Sequence, residues 1–138
     1  IARENNEKNQ ANANFFEMDL DRDWNQYIHQ KYDIIVSNPP YIPTDVIAGL
    51  MPEVAVYEPF GALDGKEDGL HFYRRIVTEC KDYLKPEGML LFEIGHDQGE
   101  TVPKILEADG YVSIEVRKDY AGMDRMVFAG WPCDNKEI

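Results

Sequence analysis

Asp33-Ile34-Ile35-Val36-Ser37-Asn38-Pro39-Pro40-Tyr41 decides the fold. The β-branched run Ile34 to Val36 is continuous, as expected of a strand buried on both faces of a parallel sheet. Two prolines then stop it. Neither can donate to a ladder, and Pro39 drives Asn38 away from the helical region toward an extended conformation. A polar side chain is thereby held at the carboxyl end of a central strand, which is where open α/β sheets bind ligands.

The atoms of this motif suggest a chemistry. Asn38 carries an oxygen that accepts and an NH2 that donates. The Pro39 carbonyl is a free acceptor, because neither a helix nor a strand continues through it. Two converging acceptors suit an NH2 group with two hydrogens to place. Pro40 stiffens the turn, and Tyr41 offers a flat face to a planar group. No general base stands in the motif, which fits a nitrogen that attacks before it loses its proton. A Pro-Pro turn that merely ends a strand is the plainer reading of the same residues.

Asn38-Pro39-Pro40-Tyr41 after a strand resembles motif IV of amino-methyltransferases that use S-adenosylmethionine. Further stretches narrow the resemblance: Tyr57-Glu58-Pro59, Ala62-Leu63-Asp64-Gly65, Asp68-Gly69-Leu70, Gly88 to Gly95, Gln98-Gly99, Gly110-Tyr111, and Asp119-Tyr120-Ala121-Gly122 with Arg125. Together they resemble the PrmC/HemK family of release factor-specific protein-(glutamine-N5) methyltransferases. The resemblance implies methylation of the glutamine side chain of the GGQ motif in peptide-chain release factors, with S-adenosyl-L-methionine as cofactor. It implies that Asn38 and the Pro39 carbonyl hold the glutamine amide and that Tyr41 packs on its plane. Asp19 would approach the adenine amino group of the cofactor, and Leu20 would pack on the ring. Glu58 would orient the loop after the motif or touch substrate; a loop-bracing or solvated carboxylate is an equal reading. Asp19 also reads as a turn or N-cap aspartate.

The resemblance further implies a Rossmann-like S-adenosylmethionine-dependent methyltransferase fold, truncated, with a C-terminal antiparallel hairpin. The family's first strand, glycine-rich loop and second strand have no counterpart here, and no GxGxG occurs. Residues 1–31 read as a remnant of the cofactor half, 32–131 as the NPPY-containing half and 132–138 as a frayed tail. The family's sheet order is 3-2-1-4-5-7-6. Without strands 1 and 2, strands 4, 5, 7 and 6 stay contiguous. Strand 3, here Phe15 to Met18 within Asn14–Leu20, is orphaned. The edge of the Asn38-bearing strand is bared, which predicts either a homodimer through that edge or a displaced N-terminal segment.

The remaining chain supports one α/β domain. Ile1 to Asn12 and Thr44 to Leu50 read as helical, with Trp24, Tyr27 and Ile28 in a helical or turn segment. Leu70 to Leu84 is an amphipathic helix with Phe72, Tyr73, Ile76, Val77, Cys80 and Leu84 on its apolar face, ended by Lys85 to Gly88. Met89 to Ile94 is a strand, and Thr101 to Asp109 a helix with Pro103 in its first turn. Val112 to Arg117 and Met126 to Ala129 form the hairpin. Ile42 to Gly69 is a long loop, and loops of that length are usually functional. Asp64 to Asp68 lacks the ligand spacing of a calcium loop. His96 beside Asp97 has no nucleophile partner.

The 138 residues carry a net charge of −12. That argues against a broad phosphate-binding surface, so stable nucleic-acid binding is not expected. Cys80 and Cys133 lack CxxC spacing and read as reduced thiols of a cytoplasmic protein. No transmembrane run is present. Two other functions stay open: an NPPY-type enzyme acting on RNA or DNA bases, and an isolated fragment inactive by itself.

Overall fold

The computed structural model describes residues 1–22, 24–51, 53 and 57–133. The helices among the described residues include α1 (Ala2–Lys8), α2 (Trp24–Tyr27), α3 (Thr44–Ile47), α4 (Phe60–Leu63), α5 (His71–Tyr83) and α6 (Thr101–Ala108). Four strands are β1 (Tyr32–Ser37), β2 (Leu84–Glu93), β3 (Val112–Lys118) and β4 (Asp124–Gly130). They form one sheet in the order β1-β2-β4-β3. β1 is parallel to β2, and β4 runs antiparallel to both β2 and β3. This is the order expected of strands 4, 5, 7 and 6, with the hairpin at one end and the Asn38-bearing strand at the other.

The core lies where α5 and α6 meet the sheet. Tyr73, Ile76, Val77 and Cys80 of α5 are buried against Leu90 and Phe92 of β2 and Val127 and Ala129 of β4. Val102 and Leu106 of α6 join them. Period 2 on β2 and a helical stripe on α5 bring these side chains to one face. Burial pushes the Cys80 thiol up to about 12, so it packs as a small apolar group. Tyr73 and Tyr111 are buried with their hydroxyls satisfied, donating to the carbonyls of Glu93 and Val77 at 2.8 and 3.0 Å.

Several expectations change. Asn14–Leu20 is not a strand: the segment has no ladder partner, and unpaired backbone N–H and C=O groups cannot be buried as a strand. Met18 and Leu20 instead pack half-buried against the core, while Phe16 stays exposed. β1 is covered on one face only. Ile34 and Val36 are 56% and 71% exposed, so the strand is not buried on both faces. Residues Lys85 to Gly88 do not simply end the helix. They form an excursion within β2, between the pairs Tyr32–Leu84 and Ile34–Met89, with Glu87 at φ 63°. Trp131 ties this excursion down: its N–H donates to the Gly88 carbonyl at 2.7 Å, and its carbonyl accepts from Glu87 at 3.1 Å. α1 stops at Lys8, and Gln10 turns the chain with φ 51°. α3 is shorter than Thr44 to Leu50, and Leu84 belongs to β2 rather than to the preceding helix. Most of the expected tail, from residue 134 on, lies outside the described residues.

Candidate active site

The carboxyl end of β1 is set by its register. Ser37 pairs with Phe92, after which the prolines end the ladder. Pro39 is buried, Pro40 and Tyr41 are half-buried, and Asn38 is exposed. Among the described residues, nothing hydrogen-bonds to the Asn38 side chain or to the Pro39 carbonyl. An exposed donor–acceptor amide thus stands at the end of a strand, next in sequence to a buried proline whose carbonyl has no hydrogen-bond partner among the described residues.

The backbone just beyond them is clamped. The Ile42 N–H donates to the Leu63 carbonyl at 3.1 Å, and the Gly65 N–H to the Ile42 carbonyl at 2.8 Å. The Thr44 N–H donates to the Lys66 carbonyl at 3.0 Å. Asp64 locks this join. Its carboxylate accepts from the Thr44 hydroxyl at 2.6 Å, the Lys66 N–H at 3.0 Å and the Lys66 ammonium at 3.1 Å. Those bonds, the Thr44 hydroxyl foremost, hold the Asp64 carboxyl below its ordinary range despite burial. The Asp64 to Asp68 stretch is thereby accounted for as a brace. Gly65 and Gly69 form its floor: a Cβ at Gly65 would sit 2.8 Å from the Tyr41 backbone, and one at Gly69 2.4 Å from the Tyr41 carbonyl. Gly69 also has φ +71°.

The third wall comes from β2 and β4. Arg125 donates from Nη1 to the Ile94 carbonyl at 3.2 Å and from Nε to Asp119 at 3.3 Å. Burial opposes its charge, but the Asp119 hydrogen bond and the field of Tyr41 outweigh it and keep the guanidinium firmly protonated. Asp119 caps its own turn, accepting the N–H groups of Ala121 and Met123 at 2.9 and 3.0 Å. The Met123 bond is the main reason its carboxyl lies below the ordinary range. The Asp119-Tyr120-Ala121-Gly122 match is therefore a rigid hairpin turn beside the strand ends. Burial raises the Tyr73 phenol, so it stays protonated at neutral pH.

The cofactor residues are placed differently. Asp19 is exposed and closes a turn: its carboxylate accepts the Asp21 N–H at 2.9 Å, and its carbonyl accepts from Arg22 at 3.1 Å. The Leu20 carbonyl accepts from Trp24 Nε1 at 2.9 Å and Arg75 Nε at 3.3 Å. Asp21 meets His71 at 2.8 Å. The Asp19–Asp21 turn thus docks on the start of α5, and no hydrogen bond or ion pair joins it to Asn38 among the described residues. Glu58 is exposed on the loop and makes no hydrogen bond or ion pair among the described residues. His96 and Asp97 are likewise exposed. A cavity of about 810 Å³ does not coincide with Asn38; it runs along β1, lined by residues that include Phe15, Phe16, Trp24, Tyr27, Ile34 and Ile35.

Comparison with known proteins shows the family of the chain. A relative from Clostridium acetobutylicum, named release factor glutamine methyltransferase, is 57% identical over 100 residues, covering 72% of this chain and 35% of the relative. One of the same name from Fusobacterium nucleatum is 47% identical over 122 residues, covering 86% of this chain and 33% of the relative. The chain belongs to the family of release factor glutamine methyltransferases. It spans 35% and 33% of the length of these two members. A solved methyltransferase from Pyrococcus furiosus superposes with TM-score 0.60 over 95% of this chain and 56% of its own, at 20% identity, which shows the shared Rossmann-like fold. No protein-family model matches the chain.

One residue important to this site carried no assigned role in the sequence reading. Gln98 stands out in the sequence only within the Gln98-Gly99 match, yet it is buried beside Tyr41. Its signal is visible: a polar residue three positions after a glycine that ends a buried strand, a spacing that closes a side chain back on its own turn.

Proposed function

We propose that the protein to which this chain belongs transfers a methyl group from S-adenosylmethionine to the side-chain amide nitrogen of the GGQ glutamine in peptide-chain release factors. The observation that carries the reading is the exposed Asn38 amide next to Pro39, whose carbonyl has no hydrogen-bond partner among the described residues, on a chain held just downstream by the backbone bonds of Ile42 to Leu63 and Gly65. Those two acceptors take the two N–H groups of a primary amide and aim its nitrogen outward. Tyr41 covers the amide plane. The cofactor, when bound, supplies an electrophilic methyl group. Asp19 and Leu20 are the residues of this chain offered to its adenine; Asp19 is exposed and fits that use, at the cost of its present turn bond. Rate enhancement comes from orientation and fixed dipoles, since no side chain here is placed to take a proton before attack. Glu58, exposed on the loop after the motif, is offered to the release factor.

The net charge of −12 favours a protein substrate over a polyphosphate one. Among the described residues no helix is long and apolar enough to cross a membrane. A cytoplasmic location belongs to the same reading, as does pairing of two copies of the isolated chain through the bare edge of β1. Sedimentation of that chain as a single-copy mass at micromolar concentration would remove the pairing.

The deciding experiment gives the full-length enzyme methyl-labelled S-adenosylmethionine with either release factor or nucleic acid. Label is expected in the release factor and lost when its acceptor glutamine is replaced. Label in RNA or DNA alone would replace this reading with the base-modifying one.

A further inference from the structure

Among the described residues Gln98 is the one buried amide side chain; it is 6% exposed, at the exit of β2. Its Oε1 accepts the Gly95 N–H at 2.9 Å. Its Nε2 donates to two carbonyls, those of Tyr41 and Gly69, at 3.2 Å each. The orientation of the amide is unambiguous, because an N–H faces one end and two carbonyls face the other. The three partners lie on three separate stretches: the turn after β2, the residue that ends the NPPY motif, and the glycine before α5. The Gly69 Cα position also lies close to the Gln98 amide, where a Cβ would sit 3.2 Å from Nε2. So one buried amide joins the loop after β2 to the backbone that immediately follows Asn38 and Pro39.

We propose that Gln98 is a positioning residue for the methyl-accepting site: by holding the Tyr41 and Gly69 carbonyls together it fixes the peptide that carries the Pro39 carbonyl and Asn38. The proposal rests on the reading of Asn38-Pro39-Pro40-Tyr41 as the acceptor site. Its physical basis is an asymmetry. A buried carbonyl that loses its donor must move toward water or stay unpaired, and two carbonyls facing each other without a donor repel. The motif has no such alternative partner for the Tyr41 carbonyl among the described residues. Displacing that carbonyl moves the chain two residues downstream of the acceptor groups, where a shift of about 1 Å costs about a hundredfold in rate.

The test uses the full-length enzyme with Gln98→Glu and Gln98→Met. The first keeps the shape and replaces two N–H donors by an acceptor; the second keeps the length and removes all polarity. Assays run below the melting temperature of every variant. The expected kcat on release factor falls about a hundredfold in both, while KM for the release factor changes by less than about threefold. In Gln98→Glu the introduced carboxyl recovers one donor when protonated, so its activity relative to wild type is expected to rise toward acid pH; Gln98→Met is expected to show no such recovery. Amide hydrogen exchange of Ile42 and Gly65 is expected to accelerate about tenfold in both variants, with Leu90 and Val127 unchanged. Unchanged exchange at Ile42 and Gly65 overturns the brace whatever the substrate is. Accelerated exchange with wild-type kcat overturns positioning and leaves a structural role only. A wild-type enzyme that methylates nucleic acid and not release factor overturns the substrate reading alone, and the same kcat and exchange comparison on that substrate then decides Gln98.

Discussion

Asn38→Ala in the full-length enzyme is expected to lower kcat about a thousandfold and to leave thermal stability within about 0.5 kcal/mol of wild type. The two halves of this expectation have separate origins. Asn38 is exposed and has no partner among the described residues, so the folded state loses no bond when its amide is removed. On the proposed reading the substrate amide, by contrast, would lose one of its two acceptors. A primary amide is a poor nucleophile whose nitrogen has to be held on line, and the remaining Pro39 carbonyl fixes only one N–H. A single preorganised hydrogen bond to a reacting group accounts for about 10²–10³ in rate, and lost orientation adds to it. Asn38→Asp separates the contributions, since a carboxylate accepts but cannot donate. Steady-state methyl transfer with a thermal melt of each variant reads both. Turnover in Asn38→Ala within tenfold of wild type would take the residue out of the acceptor role.

Gly69→Ala is expected to be the most damaging change of a single methyl group. Gly69 stands at φ +71°, where an L side chain costs about 1–2 kcal/mol. The added Cβ would also fall 2.4 Å from the Tyr41 carbonyl, and backbone cannot swing aside as a side-chain tip can. The strain is relieved only by moving Tyr41 or Gly69, and either movement breaks the Gln98 bonds. Loss of at least about 2 kcal/mol in denaturant unfolding is expected, together with about a hundredfold lower kcat in the protein that remains folded. Gly61→Ala is the matched control. A Cβ there meets nothing within 4 Å, so stability is expected to stay within about 0.5 kcal/mol and activity to be retained. Equal stability and activity of Gly69→Ala and wild type would show that the close approach to Tyr41 is dispensable.

Much of this arrangement was legible from residue patterns because local rules and tertiary packing agree. The helical stripe of α5 and the alternation of β2 report directly on which face is buried, and burial there follows the stripe. Pro39 and Pro40 ended β1 where their missing donors required. The strand order came from resemblance, and the pairing agrees with it. What misled were features whose meaning depends on neighbours. Phe15 to Met18 has strand composition, but a strand exists only through a ladder, and this segment has none. Ile34 and Val36 have the composition of a doubly buried strand yet lie exposed, because composition does not state what covers a face. Gln98 was the hardest to read. Its use depends on two carbonyls contributed by Tyr41 and Gly69, and no local pattern reports a contact between stretches so distant in sequence.

The parallel pairing of β1 with β2 has a kinetic side. β3 and β4 meet through the short turn capped by Asp119, so their contact closes a small loop. β1 reaches β2 only after the entire stretch from Asn38 to Tyr83 has been traversed, with Leu84 returning beside Tyr32. Closing the longer loop removes more chain entropy before any pairing compensates it. The strand that carries Asn38 is thus the one whose docking is entropically the most expensive in the sheet. The bonds of Ile42 and Thr44 to Leu63, Asp64 and Gly65 join two points within that stretch, just after Asn38, and so shorten the chain left free between β1 and β2.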